Sequence, residues 1–455
     1  MTNGAPPRRS IFSAVLLIGI GVLFLLLQMG VLPVESTWRF IATYWPALLI
    51  IWGIAKLVDQ MAARSSGQTP PPALTGGEVV MLILLLMFGG AASFALRIYD
   101  QERDNIHWPW DEYYSVTEEL PVKPIPASAE ISVRTDRGDI TVTTDDVAEL
   151  RVTARKSVAA GSQSEAEPRA ARFTAAIRET GNLVEIFPER SGGNVGRTYL
   201  HLDVRVPRGV KLTANTANGR VTIIGVQGEV NANSRNSSVE VRDAGGDVTI
   251  EGRGTIRVIG AGGNVRANAR GSGEIEISDV KGEVFLQGEI FGPIRLQNIA
   301  KQAHFLSKRT DITVGALPGR LEVGGGALDL DNATGGVSLT TYDRDIAMTN
   351  VAGRVRIENR RGNIEVRMRT APRDEIDITN ERGTVELFLP ENSAFELNAT
   401  SRRGEVETDF SGPQLLTRER ESQREATLEG KVGTGGPRVQ IRTTFGTVSV
   451  RKGSS

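Results

Sequence analysis

Residues 337–366 read VSLTTYDRDIAMTNVAGRVRIENRRGNIEV, and four aliphatic couplets recur in them at nine-residue steps: Val337/Leu339, Ile346/Met348, Val355/Ile357 and Ile364/Val366. Each couplet puts two aliphatics on one side of a short strand, and the residue between them points the other way. Upstream, Val239/Val241 and Val248/Ile250 keep the step, and Ile256/Val258 and Val265 continue it with one eight-residue interval. Ile275/Ile277, Val284/Leu286, Ile294/Leu296, Ile312/Val314 and Leu321/Val323 extend the series with occasional insertions. A nine-residue unit cannot bury an apolar face alone, whereas stacked units bury a continuous column. The period therefore predicts a β-solenoid of either hand.

The turns carry a longer period. TDRGDI (135–140), NRRGNI (359–364), NERGTV (380–385), SRRGEV (401–406) and TTFGTV (443–448) share the form polar-x-x-Gly-x-β-branched, and Gly362, Gly383 and Gly404 are spaced by 21 residues. Two rungs plus insertions account for that spacing, giving two strand faces per coil, with three still open. About ten coils at ~4.8 Å would make a body ~50 Å long. The pattern lapses over 161–181, where SEAEPRAARFTAAIRE (164–179) has helix-forming composition with Phe173, Ala176 and Ile177 on one face. It lapses again over 413–429, and the strands at 437–451 are expected to cap the stack.

The N-terminal hundred residues differ in kind. Three stretches at about 11–32 (uncharged throughout), 39–57 (uncharged from Phe40 to Ala55) and 79–97 (uncharged from Val79 to Leu96) are expected to be transmembrane helices, with Trp38, Trp45 and Trp52 as interfacial anchors. The first is too long for a signal peptide, and no small-residue cleavage site follows it. Arg8, Arg9, Lys56 and Arg64 flank the spans on one side; Asp100, Glu102, Asp104, Asp111 and Glu112 dominate beyond the third. The positive-inside rule then sets the N-terminus in the cytoplasm and the rest outside. The expected organisation is a cytoplasmic tail (1–10), an anchor (11–98), a juxtamembrane linker (99–127) and a β-solenoid domain (128–451), a membrane-anchored all-β chain. No span carries an ionisable residue, which speaks against transport.

Composition excludes much chemistry. The 455 residues hold no cysteine, which removes disulfides, thiol catalysis and Cys-ligated metals; three histidines (His107, His201, His304) lie far apart. Fifty-three basic and 54 acidic residues nearly cancel, so nucleic acid is not an expected partner. No Walker loop, G-x-S-x-G or HExxH occurs. Asp145 with Asp146, Asp329 with Asp331, and Asp343 with Asp345 are the carboxylate pairs a solenoid glycosidase would draw on. They lie on turns or alternate with core aliphatics, so they read as solvated. No catalytic residue, metal site or cofactor is expected. Arg137-Gly138-Asp139 spells an integrin-binding tripeptide but falls within the recurrent turn. Arg361, Arg382 and Arg403 recur with the turn, joined by Arg360 and Arg402, and form a candidate edge for an anionic polymer, headgroup or acidic partner. A solvated edge that discourages aggregation is the simpler account.

LLIGIGVLFLLLQMGVL (16–32), followed by Trp45, Pro46, Ile50, Ile51 and Gly53, resembles the transmembrane region of Lia-type (LiaI/LiaF-like) envelope-stress proteins. GDITV (138–142), VPRGVKL (206–212), the serial rungs and GTVSV (446–450) resemble a bacterial adhesin-like family with Gly-x-Ile-x-Val repeats. These resemblances imply a non-enzymatic, membrane-anchored binding or scaffold protein of the bacterial inner membrane, its repeat domain periplasmic or surface-exposed. They also imply a role in sensing or modulating envelope stress, with envelope-stress membrane proteins as partners, while the arginine edge adds an anionic envelope polymer as a candidate partner. Surface adhesion to glycan or another cell is the second expectation, and a glycan-active enzyme the third. Oligomerisation stays open.

Overall fold

Alternation across the pleat gives each strand one apolar side that water must not reach. In the computed structural model, which describes residues 112–160, 162–191, 198–412, 414–420 and 425–453 together with helical Ile50, Gly53, Ile54 and Met87, two sheets bury those sides against each other. The chain divides into two units, 1–109 and 110–455. Apart from those four residues, the three expected spans lie outside the described residues. Among the described residues no helix is long and apolar enough to cross a membrane.

Successive strands of the second unit alternate between the sheets, so each pairs in parallel with the strand one coil away. In sheet I, Val221 pairs with Val239, Val239 with Ile256, Ile256 with Ile275 and Ile275 with Ile294, a coil of 17 to 19 residues. In sheet II the matching series runs Leu212, Val230, Val248, Val265, Val284 and Ala303. Two strands per coil therefore settle the number of faces. Val239, Val241, Ile256 and Val258 of sheet I and Val248, Ile250 and Val265 of sheet II are all at most 1 % exposed. Each such side chain contributes about 1.5–3 kcal/mol by leaving water.

The stack departs from chain order in three places. Ile312/Val314 and Leu321/Val323 are not successive rungs of the parallel series. They are the two halves of one strand, Thr310–Gly324, that runs antiparallel to its neighbours on both sides in both sheets. At the C-terminal end the strands Arg438–Phe445 and Val448–Gly453 do not cap the stack. They lie inside it, between the coil Ile376–Arg382/Val385–Pro390 and the coil Phe395–Arg403/Val406–Thr408. The cap is Glu425–Val432 with Leu416–Arg420, both antiparallel, so the 413–429 segment is partly strand. At the N-terminal end the coil Glu130–Arg137/Ile140–Asp145 is likewise enclosed, between strands Leu183–Arg190 and Thr198–Pro207 on one side and the coil beginning at Lys211 on the other.

The helix expected over 164–179 is confined to Gln163–Ala171. Phe173, Ala176 and Ile177 belong instead to strand Phe173–Thr180, antiparallel to Leu183–Arg190, because that pairing satisfies the backbone and buries Phe173. Part of the expected linker is also strand: Glu112–Glu119 pairs antiparallel with Glu149–Ala160. The helix packs Ala166 and Ala170 on Val158 and Ala160. Lys156 pins it, with Nζ 2.7 Å from Glu118 Oε2 and 3.2 Å from the Ala170 carbonyl oxygen. That hydrogen bond holds the Glu118 carboxyl below its usual range.

Candidate basic edge and other functional sites

The polar-x-x-Gly turn closes every motif-bearing sheet II strand and builds one long edge of the stack. Its first residue points inward despite being polar, and in most turns it donates to a backbone carbonyl of a neighbouring coil, whereas Thr443 Oγ1 and the side-chain carbonyls of Asn359 and Asn380 are buried without a partner. Thr216 Oγ1 donates to the Gly138 carbonyl at 3.1 Å, Asn380 Nδ2 to the Gly362 carbonyl at 2.9 Å and Ser401 Oγ to the Gly446 carbonyl at 2.8 Å. Buried polar groups need such partners. The glycine is required because adjacent turns touch through backbone. A Cβ on Gly383 or Gly446, both at positive φ, would overlap the carbonyl oxygen of the next turn.

With the first residue turned in, the residue before the glycine is thrown outward. Arg361 and Arg382 are register partners on adjacent coils. Arg403 is not next to Arg382: the enclosed C-terminal coil puts Phe445 between them. Along this edge the order is therefore Arg361–Arg382–Phe445–Arg403, with an aromatic ring interrupting the expected arginine edge. The guanidinium carbons of Arg382 and Arg403 lie 5.3 and 5.1 Å from the centre of the Phe445 ring, so one ring separates two cations and attracts both. Arg361 is 3.9 Å from Asp343, and Arg360 is 3.0 Å from Glu381. Among the described residues Arg382, Arg402 and Arg403 form no ion pair. Arg137, Arg235, Arg253, Arg270 and Arg309 fall in the equivalent turns of earlier coils, so the basic edge is longer than the 21-residue period indicates.

The carboxylate candidates are dispersed into structural roles. Asp145 accepts the Asp146 N–H at 2.8 Å, and Asp146 lies 2.8 Å from Arg208. Asp331 accepts from Thr349 Oγ1 at 2.7 Å and Asn350 Nδ2 at 2.9 Å, which holds its carboxyl below the usual aspartate range. Asp345 accepts the Asn363 N–H at 2.8 Å. Tertiary structure regroups rather than pairs them: Asp329 and Asp345 line one open groove with Glu365 and Glu386 on the outer face of sheet I. Among the described residues no three His, Asp or Glu side chains are placed to hold a metal ion together. In the Arg137-Gly138-Asp139 tripeptide, Asp139 Oδ1 accepts the Arg220 N–H at 2.8 Å, bracing the next turn.

Coils of 17 to 21 residues with a glycine edge, stacked over residues 130–453, agree with the sequence comparison. The Toastrack DUF4097 family model matches residues 128–451. The chain belongs to this family. Residues 11–57 match the LiaI-LiaF-like transmembrane region, so the Toastrack domain is carried on a membrane-associated chain. Among solved structures, that of a candidate cell adhesion protein from Clostridium sporogenes matches with 8 % identity and a TM-score of 0.15, covering 75 % of this chain and 100 % of that one. No curated protein gives a significant match.

Two features of the Toastrack domain escaped the sequence reading. Phe445 was visible only as the third residue of TTFGTV, in place of an arginine. The opposite edge has its own motif, in which the strand of sheet I ends in a left-handed residue followed by an inward aliphatic. Asp243, Asp279, Asn298, Asn332 and Asn350 have φ of 52 to 59°, and Ala244, Val280, Ile299, Ala333 and Val351 follow them into the core. Asn and Asp tolerate that conformation better than other side chains, which was the available signal.

Proposed function

We propose that this protein is a non-enzymatic, membrane-anchored binding module of the bacterial cell envelope that displays its Toastrack domain outside the cytoplasmic membrane and engages an anionic envelope polymer through its basic edge. The observation that carries this reading is the Arg382–Phe445–Arg403 sandwich with Arg361 beside it. Cations held on a common ring face water without carboxylate partners, and a polyanion would replace their counterions. The LiaI-LiaF-like segment supports placement in the membrane and a link to envelope stress. The charge bias around the apolar stretches supports an external domain.

The test uses the full-length protein in nanodiscs, with dextran sulfate as anionic probe and uncharged dextran as control. Arg361→Gln/Arg382→Gln/Arg403→Gln should weaken dextran sulfate binding on the order of tenfold at low salt, a loss of about 1.4 kcal/mol, with melting unchanged. Equal binding by wild type and the triple variant would reduce the edge to a solvated surface. Alkaline phosphatase active and β-galactosidase silent when fused after residue 110 would agree with the external assignment; the reverse pattern would overturn it.

A further inference from the structure

The outer faces of the two sheets are chemically unlike. Along sheet I the register column Glu240, Arg257, Glu276, Arg295, Glu322 alternates in sign, with Arg257 2.7 Å from Glu276 and Arg295 3.7 Å from Glu322. That surface satisfies itself. On sheet II, between residues 211 and 291, two adjacent columns are rich in amides and hydroxyls instead. One runs Thr213, Asn231, Thr249, Arg266, Phe285; the other runs Asn215, Asn233, Glu251, Asn268, Gln287.

This face is recessed as well as polar. A groove of about 470 Å³ is lined by Thr249, Glu251, Arg266, Asn268, Phe285 and Gln287. It meets at Asn268 a second depression of about 560 Å³, bordered by Arg253, Arg270 and Gly271, where the chain turns the edge. Phe285 stands among the amides and is held edge-on by His304, ring centres 5.1 Å apart, with His304 fixed by Asp311 at 3.0 Å. Phe291, 82 % exposed, lies against Gly271 at the far end. Its ring presents an open aromatic face at that end of the surface.

Charge identifies the occupant more closely. Arg270 is neutralised by Glu251 at 2.5 Å, and Lys308 by Glu289. Among the described residues Arg253 and Arg266 form no ion pair. Farther along the same face Arg356 is matched by Glu358 at 2.7 Å and Arg442 by Asp377 at 3.4 Å. The groove and the depression beside it thus offer planar amides that donate and accept at once, two aromatic faces and two guanidinium forks without a carboxylate partner. Sugar hydroxyls match the amides, the apolar face of a sugar ring matches phenylalanine, and a carboxylate matches a guanidinium fork.

We propose that this groove binds an extended, carboxylate-bearing polysaccharide lying along the strand Val284–Ile290 from Phe285 to Phe291. The proposal stands on different residues from the Arg382–Phe445–Arg403 edge and does not require that edge to bind.

Full-length protein in nanodiscs is titrated with polygalacturonate, with its fully methyl-esterified form and with dextran sulfate. Wild type should bind polygalacturonate at low salt and the esterified chain at least tenfold more weakly. Arg266→Gln/Asn268→Ala, both on the outer face, should lose at least tenfold toward polygalacturonate, keep its melting temperature and leave dextran sulfate binding unchanged. Phe285→Leu, which keeps apolar bulk but removes the ring, should weaken binding in the same direction. The proposal is overturned if wild type ignores polygalacturonate, if the groove variants bind it as wild type does, or if the edge triple variant alone abolishes the interaction. A loss of dextran sulfate binding in that triple variant, with polygalacturonate binding intact, would support both sites separately.

Discussion

Single residues in this fold do two kinds of work, and Asp331 shows the less visible kind. Its Oδ1 collects the Thr349 hydroxyl and the Asn350 amide of the next coil, tying the left-handed corner at Asn332 to the one at Asn350. Because its folded pKa lies below the unfolded one, the charge stabilises the fold above the unfolded value and stops doing so as pH falls through the folded value. Asp331→Asn keeps an acceptor atom but removes the charge. It should cost about 0.5–1 kcal/mol at pH 7, the low figure reflecting a partly exposed site, and the deficit should shrink at a second, acidic pH where carboxylates protonate. Denaturant titrations of both proteins at the two pH values check this; a deficit independent of pH would mean that geometry matters and charge does not.

At the scale of the element, the polar-x-x-Gly turn is the device that lets coils stack closely. It orients one polar side chain inward to a neighbouring carbonyl, lets backbone approach backbone at the glycine, and leaves the intervening residue facing solvent. Gly383→Ala should therefore be costly beyond the ordinary penalty of a left-handed alanine, because the new methyl meets the Gly362 carbonyl rather than a movable side chain. A loss of about 3 kcal/mol or more is expected. Gly325→Ala provides the contrast: it also has positive φ (53°), but a Cβ there would meet nothing within 4 Å, so only the backbone term remains, about 1 kcal/mol. Thermal melts of the two variants separate packing from conformation; equal losses would remove the close-approach argument.

For the whole molecule, the position of the last coil has a consequence that chain order would not suggest. Strands Arg438–Phe445 and Val448–Gly453 bridge the coil ending at Pro390 to the coil starting at Phe395. Ending the chain after Gly433 should therefore detach everything from about 391 to 433, instead of trimming a terminus. Limited proteolysis should find new cleavage throughout that stretch while residues 211–386 stay protected. If the truncated protein is cut only near its new end, the coil is dispensable to its neighbours. The same arrangement means the C-terminal cap cannot form until the final residues are available, a non-local closure that slows folding.

The sequence by itself determined the unit. Couplets such as Val355/Ile357 and Ile364/Val366 predicted which side chains are buried, because alternation across a strand is local and needs no knowledge of neighbours. It also located the glycine turns, the arginines just before those glycines and the uncharged N-terminal stretches. Tertiary structure alone decided the order and direction of the coils. Every coil offers the same apolar pair to whichever coil lies beside it, so nothing local tells Phe395–Arg403 to pair with Arg438–Phe445 rather than with Ile376–Arg382. A period of two also reads the same in both directions, so Ile312/Val314 and Leu321/Val323 could not announce that their strand runs backwards. Arg382 and Arg403 become partners of Phe445, and Asn268 a neighbour of Phe285, only once separate coils have been stacked, since a binding surface on such a fold is written across strands while the sequence runs along them.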